Sequence, residues 1–446
     1  MTEHVAIVGG GFSGTLLAIN LLRFGGPSAT LIDRSAARIA RGVAYSATEP
    51  AHLLNVRAAG MSAFPDDADH FVRWLAARHG GTPASFVPRR LYGEYLAETL
   101  AAVRDDRLTL CTGDVRAVTD AGVRLTDGRD IAADLVVLAT GNLPPHTPPG
   151  IDPAALPGGR YIDDPWRADP ARGLGAGDGV LLLGTGLTAI DLALQLDAGG
   201  FAGGIVALSR RGLRPHRHVE GGAPVQGRTD LPGVPLSGLV RELRAEATEA
   251  PGGWRAAVDS LRPVTQRLWG ASDRATRARF LRHLRPFWDV HRHRLAPAVA
   301  DRIDAMVAEG RLRFVAGKVA GATATPAGVD LTWRPRHRDA TERMAVARIV
   351  NCTGPQGDLT RTDDPLLAGL AAAGAIRPDA LRLGIDVDAQ SRVIDSGGQA
   401  RDALCCIGPM TRGGLWEVVA VPDLRRQAWD LARRLSHAQW VGGEGL

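Results

Sequence analysis

The chain has 446 residues, 45% of them hydrophobic and 23% charged, and a formal net charge of +5. These values exclude a disordered or fibrous chain and leave room for two or three globular cores. No run approaches the ~18 apolar residues of a membrane span, and the basic excess, 52 arginines to the single Lys318, is scattered in short pairs without a basic tail, a sign of GC-rich coding rather than of a nucleic-acid partner.

Val5-Ala6-Ile7-Val8 is an unbroken apolar run and reads as a buried parallel strand. No signal-like run precedes it, and the four cysteines (Cys111, Cys352, Cys405, Cys406) show neither a CxxC nor metal-ligand spacing. A reducing, cytoplasmic setting is therefore expected. The strand runs into Gly9-x-Gly11-x-x-Gly14 and an apolar helix over 15–22. In such a loop the first glycine permits the tight turn, the second lets a pyrophosphate approach the backbone, and the third lets helix pack on strand. The phosphates then rest on the helix N-terminus. The next apolar run ends at Asp33, where an acid receives ribose hydroxyls.

A loop follows, carrying Arg41-Gly42-Val43-Ala44-Tyr45, His52-Leu53-Leu54-Asn55-Val56 and Met61 to Asp67. Ordered loops of this length inside a dinucleotide domain usually carry function. Amphipathic helices are predicted at 70–75 and 90–96, then a small antiparallel meander with an Asp127-Gly128 hairpin turn. The apolar run 133–138 is a strand leading to Thr140-Gly141, where glycine lets the chain leave the sheet beside a ligand. After a Pro/Gly-rich linker over 143–177 the opening pattern repeats. A strand at 179–183 meets Gly184-Thr185-Gly186-Leu187-Thr188-Ala189, and the following strand ends in Ser209-Arg210-Arg211 instead of an acid. Arginine there accommodates a 2′-phosphate, so the first site predicts a dinucleotide with free ribose hydroxyls and the second predicts NADP(H).

Residues 235–311 read as helical. Within them Trp288-Asp289-Val290-His291-Arg292-His293-Arg294 forms a helix with a basic face or a substrate contact. His291 and His293 are two apart, hence on different helix faces, and no acid or cysteine completes a ligand set, so no metal is expected. Strands return at 312–315, 329–333 and 347–350, the last leading to a second Thr-Gly, Thr353-Gly354. Cys405 and Cys406 read as small buried hydrophobes. The stretch Gly408-Pro409 to Trp416 and a final helix from Pro422 predict that the chain returns to complete the first domain.

Two phosphate loops 175 residues apart, with two strand–Thr-Gly endings, resemble the two-dinucleotide flavoproteins, in which the first loop holds FAD and the second NADPH. More narrowly, the chain is similar to the FAD/NAD(P)-binding family, some of whose members carry the loose label hydroxyacylglutathione hydrolase. The matching stretches are Arg41 to Tyr45, His52 to Val56, Gly184 to Thr188, Trp288 to Arg294 and Gly408 to Gln427. Neither a nucleophile elbow nor a metal-ligand run supports the hydrolase label. The likeness extends to the class B flavin monooxygenases, some of which N-hydroxylate amino acids. These place an Asn beside the flavin some nine residues before a Phe-x-Asp or Phe-Pro element, and Asn55 precedes Phe64-Pro65-Asp66 with that spacing. The Phe-x-Gly-x-x-x-His-x-x-x-Trp fingerprint of Baeyer–Villiger enzymes is absent, so cyclic-ketone oxygenation is not implied.

The expected fold is α/β, with two Rossmann-like domains. An FAD-binding domain spans 1–145 and resumes over 346–446, and an NADP-binding domain spans 146–345 with a helical insertion at about 235–311. Around FAD we expect Gly9, Gly11, Phe12, Ser13, Gly14, Asp33, Arg34, Leu54, Val115, Thr140, Gly141, Gly408, Pro409 and Trp416. Around NADPH we expect Gly184, Gly186, Leu187, Thr188, Ser209, Arg210 and Arg211. The resemblance implies Asn55 as the catalytic residue, with Trp416 or Trp288 covering the flavin ring. It also implies an NADPH-dependent monooxygenase acting through a flavin C4a-hydroperoxide, with a small-molecule amine or amino acid and O2 as partners and no nucleic acid or membrane. A reductase without oxygen insertion and a non-catalytic NADPH sensor remain alternatives, and the missing CxxxxC near the first loop argues against a flavin–disulfide reductase.

Overall fold

Val5 to Val8 are buried because parallel strands flank them on both sides. His4–Val8 pairs with Ser28–Asp33 on one edge and Leu135–Leu138 on the other. A central strand covered on both faces needs an unbroken apolar run. The computed structural model describes residues 2–47, 49–219, 226–230, 235–250 and 252–437. They form two compact units: 2–47, 56–143 and 357–437 make the first, and 49–55 with 144–356 the second.

The first unit's six-stranded sheet runs in the order Arg392–Ile394, Ala400–Cys406, Leu135–Leu138, His4–Val8, Ser28–Asp33, Leu108–Thr112. Ala400–Cys406 is parallel to Leu135–Leu138, so the C-terminal part of the chain extends the sheet begun by the N-terminus. Cys405 and Cys406 are fully buried there. The meander is a separate three-stranded sheet, Val115–Thr119, Gly122–Leu125 and Asp130–Ala132. Helix Phe12–Arg23 is buried at every residue from Phe12 to Leu22. Helices Arg89–Val103 and Val421–Leu435 pack against it, which is why it has no polar face. Leu16, Leu17, Ile19 and Leu21 are each fully enclosed, and such burial contributes about 1.5–3 kcal/mol per side chain.

The second unit's sheet follows the order Glu342–Val346, Gly328–Pro335, Leu312–Thr325, Gly204–Ser209, Gly179–Leu183, Arg348–Asn351, Tyr161–Ile162. Its parallel centre repeats the plan of the first, and an antiparallel meander closes one edge. The helical insertion lies between Gly204–Ser209 and Leu312–Thr325. Its core gathers Leu239, Leu243, Ala257, Leu261 and Val264, with Trp288 packed against them.

Two expectations are corrected. The strand ending before Thr353-Gly354 was placed in the returning part of the FAD domain, yet Arg348–Asn351 pairs in register with Gly179–Leu183 in the second unit's sheet. The two Thr-Gly endings therefore belong to different sheets, and the return to the first unit begins at Gly357. Residues 49–55, expected inside the first domain, group with the second unit. Buried His52 bonds through Nε2 to the Asp191 carbonyl at 2.9 Å, and the Asn55 carbonyl accepts from His218 Nε2 at 2.9 Å. The expected last stretch, 438–446, lies outside the described residues. Among them no helix is long and apolar enough to cross a membrane.

The insertion is tied to the second unit through Asp197, near the end of helix Leu187–Ala198. Arg302 on helix Pro297–Ala308 grips both carboxylate oxygens at 2.6 Å, and Arg311 reaches Oδ1 at 2.6 Å. These hydrogen bonds, Arg302's foremost, hold the carboxyl below the usual carboxylate range. A depressed folded value means the stabilisation is present above the ordinary aspartate pKa and is lost as pH falls through the folded one. Asp197→Asn should cost about 1–3 kcal/mol at pH 7 by urea unfolding, and the difference from wild type should close progressively below about pH 4.

Candidate functional site

The two glycine loops adopt one backbone design. Gly9 and Gly184 lie at φ +112° and +132°, open to glycine alone. A Cβ at either would sit 2.2 Å from a carbonyl of the neighbouring strand's end, Ala139 in one unit and Cys352 in the other. Gly11 and Gly186 are the N-caps of helices Phe12–Arg23 and Leu187–Ala198, at φ −73° and −84° with ψ near −165° in both, and no side chain caps either helix. The first N–H groups of each helix, those of Phe12, Ser13 and Gly14 and of Leu187 and Thr188, therefore remain available for an anionic ligand. At Gly14 a Cβ would come 2.0 Å from the Gly9 carbonyl. The second loop instead houses the methyl of Ala189 in full burial.

The ends of the next strands differ in chemistry at one matched place. Gly9 N–H donates to Ile32 O at 2.8 Å, and Gly184 N–H to Leu208 O at 2.7 Å, so Asp33 and Ser209 occupy equivalent positions. Asp33 accepts N–H groups from Gly10 (2.9 Å) and Ser35 (3.0 Å), one on each oxygen. Each oxygen keeps a lone pair for a ribose hydroxyl. Ser209 Oγ instead pairs with Thr185 Oγ1 at 2.9 Å and accepts Gly212 N–H at 3.0 Å, while the Thr185 hydroxyl also donates to Leu213 O. This fastens the turn at 209–212 to the glycine loop. Arg210 is exposed on that turn, and the Arg211 guanidinium lies 5.2 Å from the centre of the Phe287 ring. Arg34, the counterpart of Arg210, does not stand free: Asp114 and Asp364 each hold it at 2.6 Å. One unit thus presents a carboxylate at this place and the other a cation.

The first unit also holds a buried hydroxyl, Thr140 Oγ1, without a partner among the described residues. It stands beside Gly141 (φ +73°) and next to the carbonyl that crowds Gly9. In the second unit the matching Thr353 hydroxyl donates to Asn351 Oδ1 at 2.7 Å. An orphaned hydroxyl at a phosphate loop, with an uncapped helix and room at Gly11 for close approach to the backbone, fits a bound dinucleotide. Gly408 (φ +91°) closes on the same loop, since a Cβ there would meet Ser13 Oγ at 2.9 Å. Its N–H donates to Gln427 Oε1 (2.8 Å), Gln427 Nε2 donates to Thr411 Oγ1 (3.0 Å), and the Thr411 hydroxyl returns to Gly408 O (2.8 Å). Pro409 opens the turn Pro409–Thr411, Trp416 is buried in this unit, and Val115 is in its core.

Thr411 and Gln427 lie in the matching stretch Gly408 to Gln427, but sequence reasoning gave neither a role at the loop. Nor did it assign a site role to Gly42, Tyr45 or Tyr92. Gly42 (φ +57°) brings its loop onto the glycine loop, where a Cβ would lie 3.1 Å from Gly11 Cα, and Ala40 N–H donates to Gly10 O at 2.8 Å. Tyr45 and Tyr92 pack beside Phe12, with ring centres 6.0 and 6.2 Å away. The Arg41-Gly42-Val43-Ala44-Tyr45 stretch was visible as a loop, but its contact was not.

Leu54 and Asn55, expected at the FAD site, lie on the 49–55 segment of the second unit. Trp288 belongs to the insertion's core. His291 stacks with His216 at 4.5 Å and Trp254 at 5.6 Å. Burial, then the neighbouring His216, pulls its pKa down to about 4, so it is neutral at pH 7 and adds no charge to the expected basic face. His293 ends the helix, its N–H bonded to Asp289 O.

The cradles separate folding from binding. A Cβ at Gly11 meets nothing closer than 3.5 Å, and one at Gly186 meets nothing within 4 Å. Gly11→Ala and Gly186→Ala should therefore fold with thermal stability within about 0.5 kcal/mol of wild type. Each should weaken dinucleotide binding in its own unit at least about tenfold by calorimetry, because the methyl occupies the phosphate's approach.

Residues 6–143 match the family model described as FAD-NAD(P)-binding. No curated protein matches the chain. Among solved structures it resembles the ornithine hydroxylase of Pseudomonas aeruginosa (16% identity, TM-score 0.64, 98% of this chain and 99% of the other). It likewise resembles the L-lysine 6-monooxygenase of Pseudomonas syringae (18%, 0.65, 98% and 100%). A third likeness, to the thioredoxin reductase of T. acidophilum, is weaker (12%, 0.50, 98% of each chain). Residues 6–143 thus match an FAD-NAD(P)-binding domain, and the chain shares its overall fold with these hydroxylase structures along nearly its full length.

Proposed function

We propose that the protein is an FAD- and NADPH-dependent monooxygenase that places one oxygen atom of O2 on an amine nitrogen of a small molecule, an amino acid being the favoured substrate. The observation that carries the reading is the divergence of two loops of like backbone: Asp33 in one, Ser209 followed by exposed Arg210 and half-buried Arg211 in the other. One loop suits free ribose hydroxyls and the other a 2′-phosphate, which is the pairing of FAD with NADPH. The ornithine- and lysine-hydroxylating enzymes of like fold support the reaction class. The thiols argue against disulfide reduction: burial pushes Cys352, Cys405 and Cys406 up, which leaves them unreactive at neutral pH.

Bound FAD supplies the reduction of O2 with electrons from NADPH. In this reading the protein's own part is binding and shielding. The N–H groups of Phe12, Ser13 and Gly14 receive the pyrophosphate, Asp33 receives a ribose hydroxyl, and Thr140 gains a partner for its hydroxyl. The ring of hydrogen bonds through Gln427 keeps Gly408 against Ser13, and the Phe12–Tyr45–Tyr92 cluster excludes water from that flank. Val115, Pro409 and Trp416 complete the apolar surroundings, and Asn55 keeps the catalytic role that the resemblance implies.

The test is anaerobic reduction by NADPH, followed by aerobic turnover with L-ornithine, L-lysine and simple diamines and detection of the hydroxylamine product. One product per NADPH is expected with at least one amine, and Asn55→Ala should lower that ratio. Arg210→Ala should raise the KM for NADPH about tenfold or more, the loss of a charged hydrogen bond, and leave that for NADH unchanged. Peroxide release with every amine would replace this reading with a reductase, and no reduction at all with a nucleotide sensor.

A further inference from the structure

We infer that Phe287, contributed by the helical insertion, sets the second loop's preference for a 2′-phosphorylated nucleotide by holding Arg211 in position. The inference rests on the reading of that loop as the NADPH site and names a residue beyond the loop itself.

The backbone that carries Arg211 is already rigid. Ser209 joins it to Thr185 of the glycine loop, Gly212 N–H closes the turn on Ser209 Oγ, and Gly212 sits at φ +64°. What remains free on this turn is the reach of two arginine side chains. A long arginine loses considerable rotamer freedom when it is fixed on a phosphate, and a preset guanidinium loses less. Phe287 supplies the platform, with its ring centre 5.2 Å from the Arg211 guanidinium carbon.

The platform is itself mounted firmly. Phe287 lies on helix Arg285–Arg292, whose Val290 is buried. The Val290 carbonyl accepts His216 N–H at 3.0 Å, and Leu295 N–H donates to His216 O at 2.8 Å. Just beyond, Arg294 grips Asp259 with two bonds of 2.8 and 2.9 Å. The stretch 209–218 therefore binds the glycine loop at one end and the insertion at the other. Phe287 nevertheless remains 43% exposed while its neighbour Trp288 packs inward. A phenylalanine left at the surface beside a nucleotide-facing arginine is explained by the ring face it offers the cation.

The selectivity follows from charge. Arg211 has an anion to meet only when the ribose carries a 2′-phosphate, so loss of its platform acts on NADP(H) and not on NAD(H). The test is calorimetric binding of NADP+ and NAD+ to the FAD-loaded protein. Phe287→Ala should weaken NADP+ roughly two- to fivefold, the worth of one exposed cation–π contact, and leave NAD+ unchanged. Phe287→Tyr should restore wild-type affinity. In an Arg211→Ala background Phe287→Ala should have no further effect. Unchanged NADP+ affinity in Phe287→Ala, or equal losses for both nucleotides, overturns the inference. Weakening by Arg210→Ala with none by Phe287→Ala removes the inference alone. Wild-type NADP+ binding by both Arg210→Ala and Arg211→Ala removes the nucleotide reading and the inference with it.

Discussion

The enclosure of one uncapped helix is the interaction on which the first unit depends. Helix Phe12–Arg23 begins at Gly11 with no side chain on its first N–H groups. Glycine in place of a capping side chain costs a few tenths of a kcal/mol, and the helix draws its stability chiefly from packing. It does so through burial, for every residue from Phe12 to Leu22 is enclosed. The covering helix Val421–Leu435 comes from the far end of the chain. In this unit the C-terminal part of the chain, returning to the N-terminal sheet, supplies that cover.

The second unit solves the same problem with the same backbone and the opposite charge. Its helix is also uncapped and its first glycine equally pinched against a neighbouring carbonyl. What changes is the end of the following strand. Asp33 is fixed by two backbone N–H groups, and the arginine after it is neutralised by Asp114 and Asp364. In the second copy a serine replaces the acid and spends its hydroxyl on holding the turn, which leaves Arg210 exposed. Serine for the acid, together with an arginine that no such carboxylate pair among the described residues neutralises, gives a cationic site on the same backbone plan in place of an acceptor site.

The additions to this repeated plan are held by polar contacts of high sequence separation. Asp197 binds the insertion through Arg302 and Arg311, and His52 and His218 hold the 49–55 segment on the second unit.

The sequence alone determined both glycine loops, the strands before them and the acid-versus-arginine contrast. Those features are local: a handful of residues must adopt particular φ values and present particular charges within one βαβ unit. Helical and strand periodicity also marked the insertion and the meander, because each follows from which residues must be buried. Tertiary structure alone decided where strand Arg348–Asn351 pairs, to which unit Asn55 belongs, and that Gln427 locks Gly408 against Ser13. It also decided that Phe287 faces Arg211 and that Arg34 is already neutralised. Periodicity reports that a face is buried but not against what, and a hydrogen bond between residues far apart in the chain leaves no trace in the sequence near either of them.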